Sequence, residues 1–145
     1  MERIRPLILV ADDDEDILEL VRRRLARSYD TLVARNGAEA LALAQAHRPD
    51  VAVLDVTMPE LDGYEVTREL SRDPATSSIQ VILLTARAQA GDVAKGLAAG
   101  AQDYVTKPFS PELLQSRVAS VLKAAAPAAA TPQAGLSIRR PDARP

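Results

Sequence analysis

The sequence contains no cysteine, which rules out disulfides, thiolate catalysis and cysteine-held zinc or iron–sulfur centres. Charge of one sign is lacking too: 18 Lys and Arg against 20 Asp and Glu leave a formal net charge of −2. There is thus no global basic field to hold nucleic acid or an anionic membrane. The opening stretch, MERIRPLILVADDD, has neither the long apolar segment nor the small-residue cleavage site of a secretory leader. No apolar run approaches the roughly 18 residues that span a bilayer. These absences predict a soluble, cytoplasmic chain that makes no direct contact with membrane or nucleic acid.

What is present is enough for one domain. The 145 residues are 47% apolar, sufficient to bury a real core with a short appendage left over. Five apolar, β-branched runs recur as LILVA (7–11), TLVA (31–34), VAVL (51–54), VILLT (81–85) and DYVT (103–106). Helical spacing fills the intervals. Ile17, Leu20, Val21 and Leu25 mark one face of a first helix whose other side carries Arg22, Arg23 and Arg24 as a solvated surface. Asn36 with Glu39 suggests a capping box before a helix over 38–46. Val66 and Leu70 support a third helix, and Val93 and Leu97 a fourth that Gly100 closes. Ser110 and Pro111 read as an N-cap and first position of a fifth, through Val118 and Leu122.

Continuously apolar strands alternating with helices predict an α/β domain with a doubly wound parallel sheet covered on both faces. The domain is expected over residues 1–123. The remainder, 124–145, is rich in alanine and proline and poor in large apolar residues, and is expected to be a flexible tail. It is too short and too poor in core residues for an output module.

In such a sheet the functional crevice lies beyond the carboxyl ends of the strands. Strand one is followed by Asp12 and Asp13, strand three by Asp55, strand four by Thr85 and strand five by Lys107. Carboxylates converging there would make an all-oxygen pocket suited to a divalent cation such as Mg²⁺. Three carboxylates, one such cation and one lysine sum to zero charge. A nucleotide site would instead place a glycine-rich turn after strand one. Asp14, Glu15 and Asp16 fit the start of a helix, where acid meets the helix dipole favourably.

LILVADDDEDI, VAVLDVTMPELDGYEV, VILLTA and GAQDYVTKPF, in that order and spacing over roughly residues 5–123, resemble the receiver domain of two-component response regulators. The resemblance implies a flavodoxin-like sheet of strand order 2-1-3-4-5 with five helices. It implies that Asp55 accepts a phosphoryl group from a phosphohistidine on a partner kinase. Mg²⁺ (or Mn²⁺) would be held by Asp12, Asp13, Asp55 and the backbone carbonyl of Thr57. Lys107 and Thr85 would contact phosphoryl oxygens, Thr85 and Tyr104 would form the switch, and the Lys107–Pro108 bond would be cis. Pro59 and Gly63 would shape the loop after Asp55. Arg87 and Thr57 would set phosphate lifetime. The implied partners are a sensor histidine kinase or phosphotransfer protein and a downstream effector protein. The sole histidine, His47, is expected at the surface near a helix end, so the phosphoryl group must come from outside.

A stand-alone receiver without DNA-binding output is the leading expectation, with a receiver fragment of a longer regulator or hybrid kinase as the alternative. An enzyme of the haloacid dehalogenase class would also use an aspartate nucleophile with Mg²⁺. It would need a second aspartate two residues on, where this chain has Thr57, and cap insertions that are missing. An inactive receiver-like module is disfavoured by the complete set Asp12, Asp13, Asp55, Thr85 and Lys107.

Overall fold

A computed structural model describes residues 5–86 and 90–125 of the chain. Five strands, β1 (Leu7–Ala11), β2 (Asp30–Ala34), β3 (Val51–Asp55), β4 (Gln80–Thr85) and β5 (Asp103–Thr106), alternate with five helices. The helices are α1 (Glu15–Leu25), α2 (Gly37–His47), α3 (Gly63–Arg72), α4 (Ala90–Ala99) and α5 (Pro111–Ala125). The strands form one parallel sheet in the order β2-β1-β3-β4-β5. Among the described residues no helix is long and apolar enough to cross a membrane.

Alternation along each strand divides the core in two. Ile8, Val10, Val51, Val53, Ile82, Leu84 and Val105 face α1 and α5, meeting Leu18, Val21, Leu25, Leu114, Val118 and Val121. Leu9, Ala11, Ala52, Leu54, Val81 and Leu83 face the other way, toward Ala40 and Ala44 of α2 and Tyr64, Val66 and Leu70 of α3. Fully burying a Leu, Ile or Val stabilises by about 1.5–3 kcal/mol. Helices α1 and α5 each bury three such side chains, whereas the described part of α4 buries only Gly96 and Ala99. Helix α4 is therefore weakly held by packing, as is α2, which buries only Gly37, Ala40 and Ala44. The two glycines of α4, Gly91 and Gly96, weaken it further, by about 0.5–1 kcal/mol each relative to alanine.

Local chemistry sets the helix ends. Asp14 caps α1, its Oδ1 accepting from the N–H groups of Asp16 (2.9 Å) and Ile17 (3.3 Å). Asn36 caps α2 through the N–H of Glu39 (2.7 Å), but the Glu39 carboxylate turns to the N–H of Arg35 rather than that of Asn36. The expected capping box is thus only half made. The complete box is at α3, where Asp62 and Glu65 each accept the other's backbone N–H (2.8 and 2.9 Å). At α5, Ser110 Oγ accepts from the N–H of Leu113 (3.0 Å).

Some expected core positions lie elsewhere. Leu20 is 51% and Leu97 53% exposed. In α1 the buried stripe is Leu18, Val21 and Leu25, a second set at helical spacing that the apolar pattern equally allowed. Arg24 is not merely solvated, since its guanidinium donates to Gln115 (2.6 Å) and Glu112 (3.3 Å) of α5. Gly63 is the first residue of α3 rather than part of a loop. Helix α5 continues through Ala125, two residues past the expected domain end, and the rest of the expected tail lies outside the described residues. So does Arg87.

Candidate functional site

The register of the sheet decides which strand ends meet. Ala11 lies beside Leu54, Asp55 beside Leu84, and Thr85 beside Thr106. The next residue after β1, the last residues of β3 and β4, and the next after β5 therefore share one rim. The run that begins at Asp12 divides its labour there. Asp12 is fully buried, and its Oδ1 accepts the N–H of Asp14 (3.0 Å). Asp13 is exposed, Asp14 is the helix cap, and Glu15 and Asp16 occupy the first turn of α1.

Asp12, Asp13 and Asp55 each offer a carboxylate oxygen, and these oxygens lie within 4.8 Å of one another. Three hard anionic oxygens at that spacing fit a divalent cation that keeps water in its remaining positions. Lys107 enters from β5. Its Nζ is 2.9 Å from Asp12 Oδ2 and 3.3 Å from Asp55 Oδ2, so one ammonium bridges two carboxylates. The Lys107 N–H donates to the Thr85 carbonyl (2.7 Å), which ties its backbone to the end of β4. The Lys107–Pro108 peptide is cis.

The electrostatics follow from burial. Asp55 is 5% exposed, and burial followed by the charge of Asp12 pushes its pKa from 3.8 up to about 6, against the pull of Lys107 and the Thr57 N–H. That N–H donates to Asp55 Oδ1 (3.3 Å). Burial works against the charged form of Lys107. The hydrogen bond to Asp12 and the charges of Asp55 and Asp12 outweigh it and raise the lysine above its ordinary value. At neutral pH the site therefore holds an ionised, poorly solvated Asp55 carboxylate beside one fixed cation. Such a group is a competent oxygen nucleophile for an electrophile that carries its own negative charge, provided a metal offsets the repulsion.

Thr85 is buried, and it lines with Tyr104 a narrow crevice beneath α4, closed on its other sides by Val56, Tyr64, Leu83, Val93, Gly96 and Leu97. Thr57 is exposed at the start of the β3–α3 connection. In that connection Glu60 adopts a left-handed backbone (φ 72°). The strand ends were legible because each carries a polar residue after an apolar run. Gly37 and Tyr64 were not, and Gly63 was expected only to shape the loop after Asp55, not to let the helix approach the Asp55 carbonyl. A Cβ on Gly37 would stand 1.9 Å from the Leu61 carbonyl oxygen, and one on Gly63 2.5 Å from that of Asp55. Both requirements arise from contacts distant in sequence, although the dipeptide Asp62-Gly63 ahead of a helical pattern could have flagged the second.

Known proteins resemble the chain in sequence and in fold. A protein described as a probable transcriptional regulator, ycf27 of Porphyra purpurea, is 44% identical over 126 residues, covering 86% of this chain and 51% of that protein. The chain spans about half the length of the curated relatives it matches. The BeF3-activated receiver domain of DrrB, a Thermotoga maritima protein, superposes with a TM-score of 0.75 at 38% identity, covering 83% of this chain and 99% of that one. The Vibrio cholerae chemotaxis protein CheY4 does so with a TM-score of 0.77 at 31% identity, covering 81% and 98%. The family model of the response regulator receiver domain matches residues 8–119, and the chain belongs to that family.

Proposed function

We propose that the chain is a phosphoryl-accepting receiver in which Asp55 is the acceptor. One observation carries this reading: Asp12, Asp13 and Asp55 present their oxygens within 4.8 Å of one another, with the Lys107 ammonium bridging Asp12 and Asp55. A carboxylate oxygen of Asp55 attacks the phosphorus of a phosphohistidine on a sensor histidine kinase or phosphotransfer protein. The O–P bond forms as the P–N bond breaks, and the imidazole leaves with a proton. Asp12, Asp13, Asp55 and the Thr57 carbonyl would hold Mg²⁺ (or Mn²⁺), which when bound would supply positive charge against the phosphoryl oxygens. Lys107 takes a phosphoryl oxygen, at the expense of its hold on the carboxylates. Thr85 donates its hydroxyl to another, and Tyr104 moves inward behind it, which alters the surface offered to an effector protein. Thr57 and Arg87, two residues along the sequence from Asp55 and Thr85 respectively, set the lifetime of the aspartyl phosphate.

In this reading the chain works in the cytoplasm as a single-domain regulator, read by a protein partner and touching neither DNA nor membrane itself. A second reading is favoured by the length relation: relatives twice as long are described as transcriptional regulators, so the chain would be the receiver part of such a regulator. The intact mass of the protein isolated from its own cells separates the two.

Incubation with Mg²⁺ and acetyl phosphate, read by intact mass, tests the acceptor. Wild type gains one phosphoryl group, and Asp55→Ala or EDTA abolishes the gain. An equal gain in Asp55→Ala would overturn the assignment, and continuous release of phosphate from small phosphoesters would favour a hydrolase.

A further inference from the structure

Helix α4 buries no large side chain in its described part, yet it covers the crevice of Thr85 and Tyr104. What fastens it is α3. At one end the Tyr64 ring, 6% exposed, lies under α4. Its hydroxyl donates to the Asp92 carbonyl (3.4 Å), and the Lys95 ammonium stands 4.5 Å from the ring centroid, a cation–π distance. Burial, then the carboxylates of Asp92 and Asp62, keep that hydroxyl protonated by raising its pKa. At the other end Ser71 Oγ is 3.0 Å from the Ala99 carbonyl. Between the two, a Cβ on Gly96 would stand 2.8 Å from Leu83 Cδ1 and 3.7 Å from Tyr64 Cε1. An alanine here would oblige the end of the Leu83 side chain to shift.

Helix α3 is in turn fixed against the acceptor strand. The Gly63 N–H donates to the Val56 carbonyl (2.9 Å), and the space for a Cβ at Gly63 is filled by the Asp55 carbonyl oxygen. Tyr64 is the next residue. One backbone step thus separates the peptide that follows Asp55 from the ring that carries α4. The same ring walls the crevice into which Tyr104 faces.

We infer that Tyr64 is a positioning residue that couples the state of Asp55 to the placement of α4, its backbone held by the acceptor strand and its ring holding the helix. The inference rests on the acceptor reading of Asp55. Nothing in it asks Tyr64 to touch the phosphoryl group. It asks that α4, weakly packed elsewhere, take its position from this ring, so that the two states of the site correspond to two placements of the helix.

The test uses the full chain with Mg²⁺, with and without acetyl phosphate. Phosphoryl uptake is read by intact mass, and amide hydrogen exchange is read over residues 90–99. Wild type takes up one phosphoryl group and its α4 exchange changes. Tyr64→Leu and Lys95→Gln take up the group as wild type does. The phosphorylation-dependent change in exchange falls about threefold in Tyr64→Leu and by a smaller factor in Lys95→Gln. Tyr64→Phe, which keeps the ring and its cation, retains most of it. A merely structural ring would lower α4 protection equally in both states and leave the difference intact. A wild-type-sized change in Tyr64→Leu overturns the inference and assigns the coupling to the β4–α4 connection. Should Tyr64→Leu fail to fold, the exposed Lys95→Gln decides, and an undiminished change there overturns it. If wild type gains no mass, the acceptor reading itself falls, an outcome seen before any exchange is measured.

Discussion

Replacing Asp55 with asparagine should stabilise the metal-free protein at neutral pH and not at acid pH. In the folded state the carboxyl titrates at about 6, against 3.8 for the unperturbed group, chiefly because it is buried and secondly because Asp12 is near. The folded protein therefore keeps a proton on Asp55 over a range where the unfolded chain has lost it. Stability falls as pH rises from about 4 to about 6 and stays low above that. At about 1.4 kcal/mol per tenfold, the gap between 3.8 and about 6 corresponds to about 3 kcal/mol of stability missing at pH 7.5. The attraction of Lys107 is already contained in that value. Asp55→Asn removes the charge at nearly constant shape, so its advantage over wild type should shrink by about 3 kcal/mol between pH 7.5 and pH 3.5, on the order of 10 °C in Tm. The change in the advantage is the test, because asparagine also alters the contact with the Thr57 N–H. Urea unfolding in EDTA, followed by far-ultraviolet circular dichroism, suits a chain without tryptophan. Mg²⁺ should narrow the same gap at pH 7.5, by mass action, because it stabilises wild type more than a variant that has lost one of the three carboxylates. A difference between the two proteins that is flat across this pH range would refute the account of the site as a charge-strained pocket.

Three further outcomes are expected. Lys107→Met leaves buried Asp12 and Asp55 without their shared ammonium and should cost about 3 kcal/mol at pH 7.5 in EDTA; a loss below about 1 kcal/mol in the urea midpoint would mean that the bridge is incidental. Gly37→Ala drives a Cβ into the Leu61 carbonyl and should cost about 2 kcal/mol or more, while Gly91→Ala, where nothing lies within 4 Å, should stabilise by about 0.5–1 kcal/mol; thermal melts of the pair check this. Asp62→Ala breaks the reciprocal cap of α3 and should lower stability by about 1 kcal/mol, with hydrogen exchange rising first at the start of that helix.

The sheet was readable because its signals are local. Five apolar runs of β-branched residues, each bounded by helical spacing, leave little choice but a parallel sheet, and the polar residue after each run marks the rim. The first residues of α5 were readable for the same reason, since Ser110 and Pro111 act within one turn. Position within a helix was harder. In α1 Leu20 keeps helical spacing with Ile17, and Leu18 keeps it with Val21 and Leu25; the docking of the helix on β1 buries the Leu18 stripe. The Glu39 carboxylate had two backbone donors in reach and took Arg35, which no pattern distinguishes. Contacts between sequence-distant groups were not legible at all. The ring of Tyr64 under Lys95 and the close approach of Gly37 to Leu61 depend on how α2, α3 and α4 are set against one another.

The bridging lysine belongs to the edge strand of the sheet, two strands away from β3 and three from β1. As the ribosome releases the chain from its amino end, Asp12 and Asp55 can be drawn together by β1 and β3 long before position 107 emerges. During that interval the two carboxylates lack the ammonium that bridges them in the finished sheet. The last strand to be made thus carries the charge that the first and third strands require.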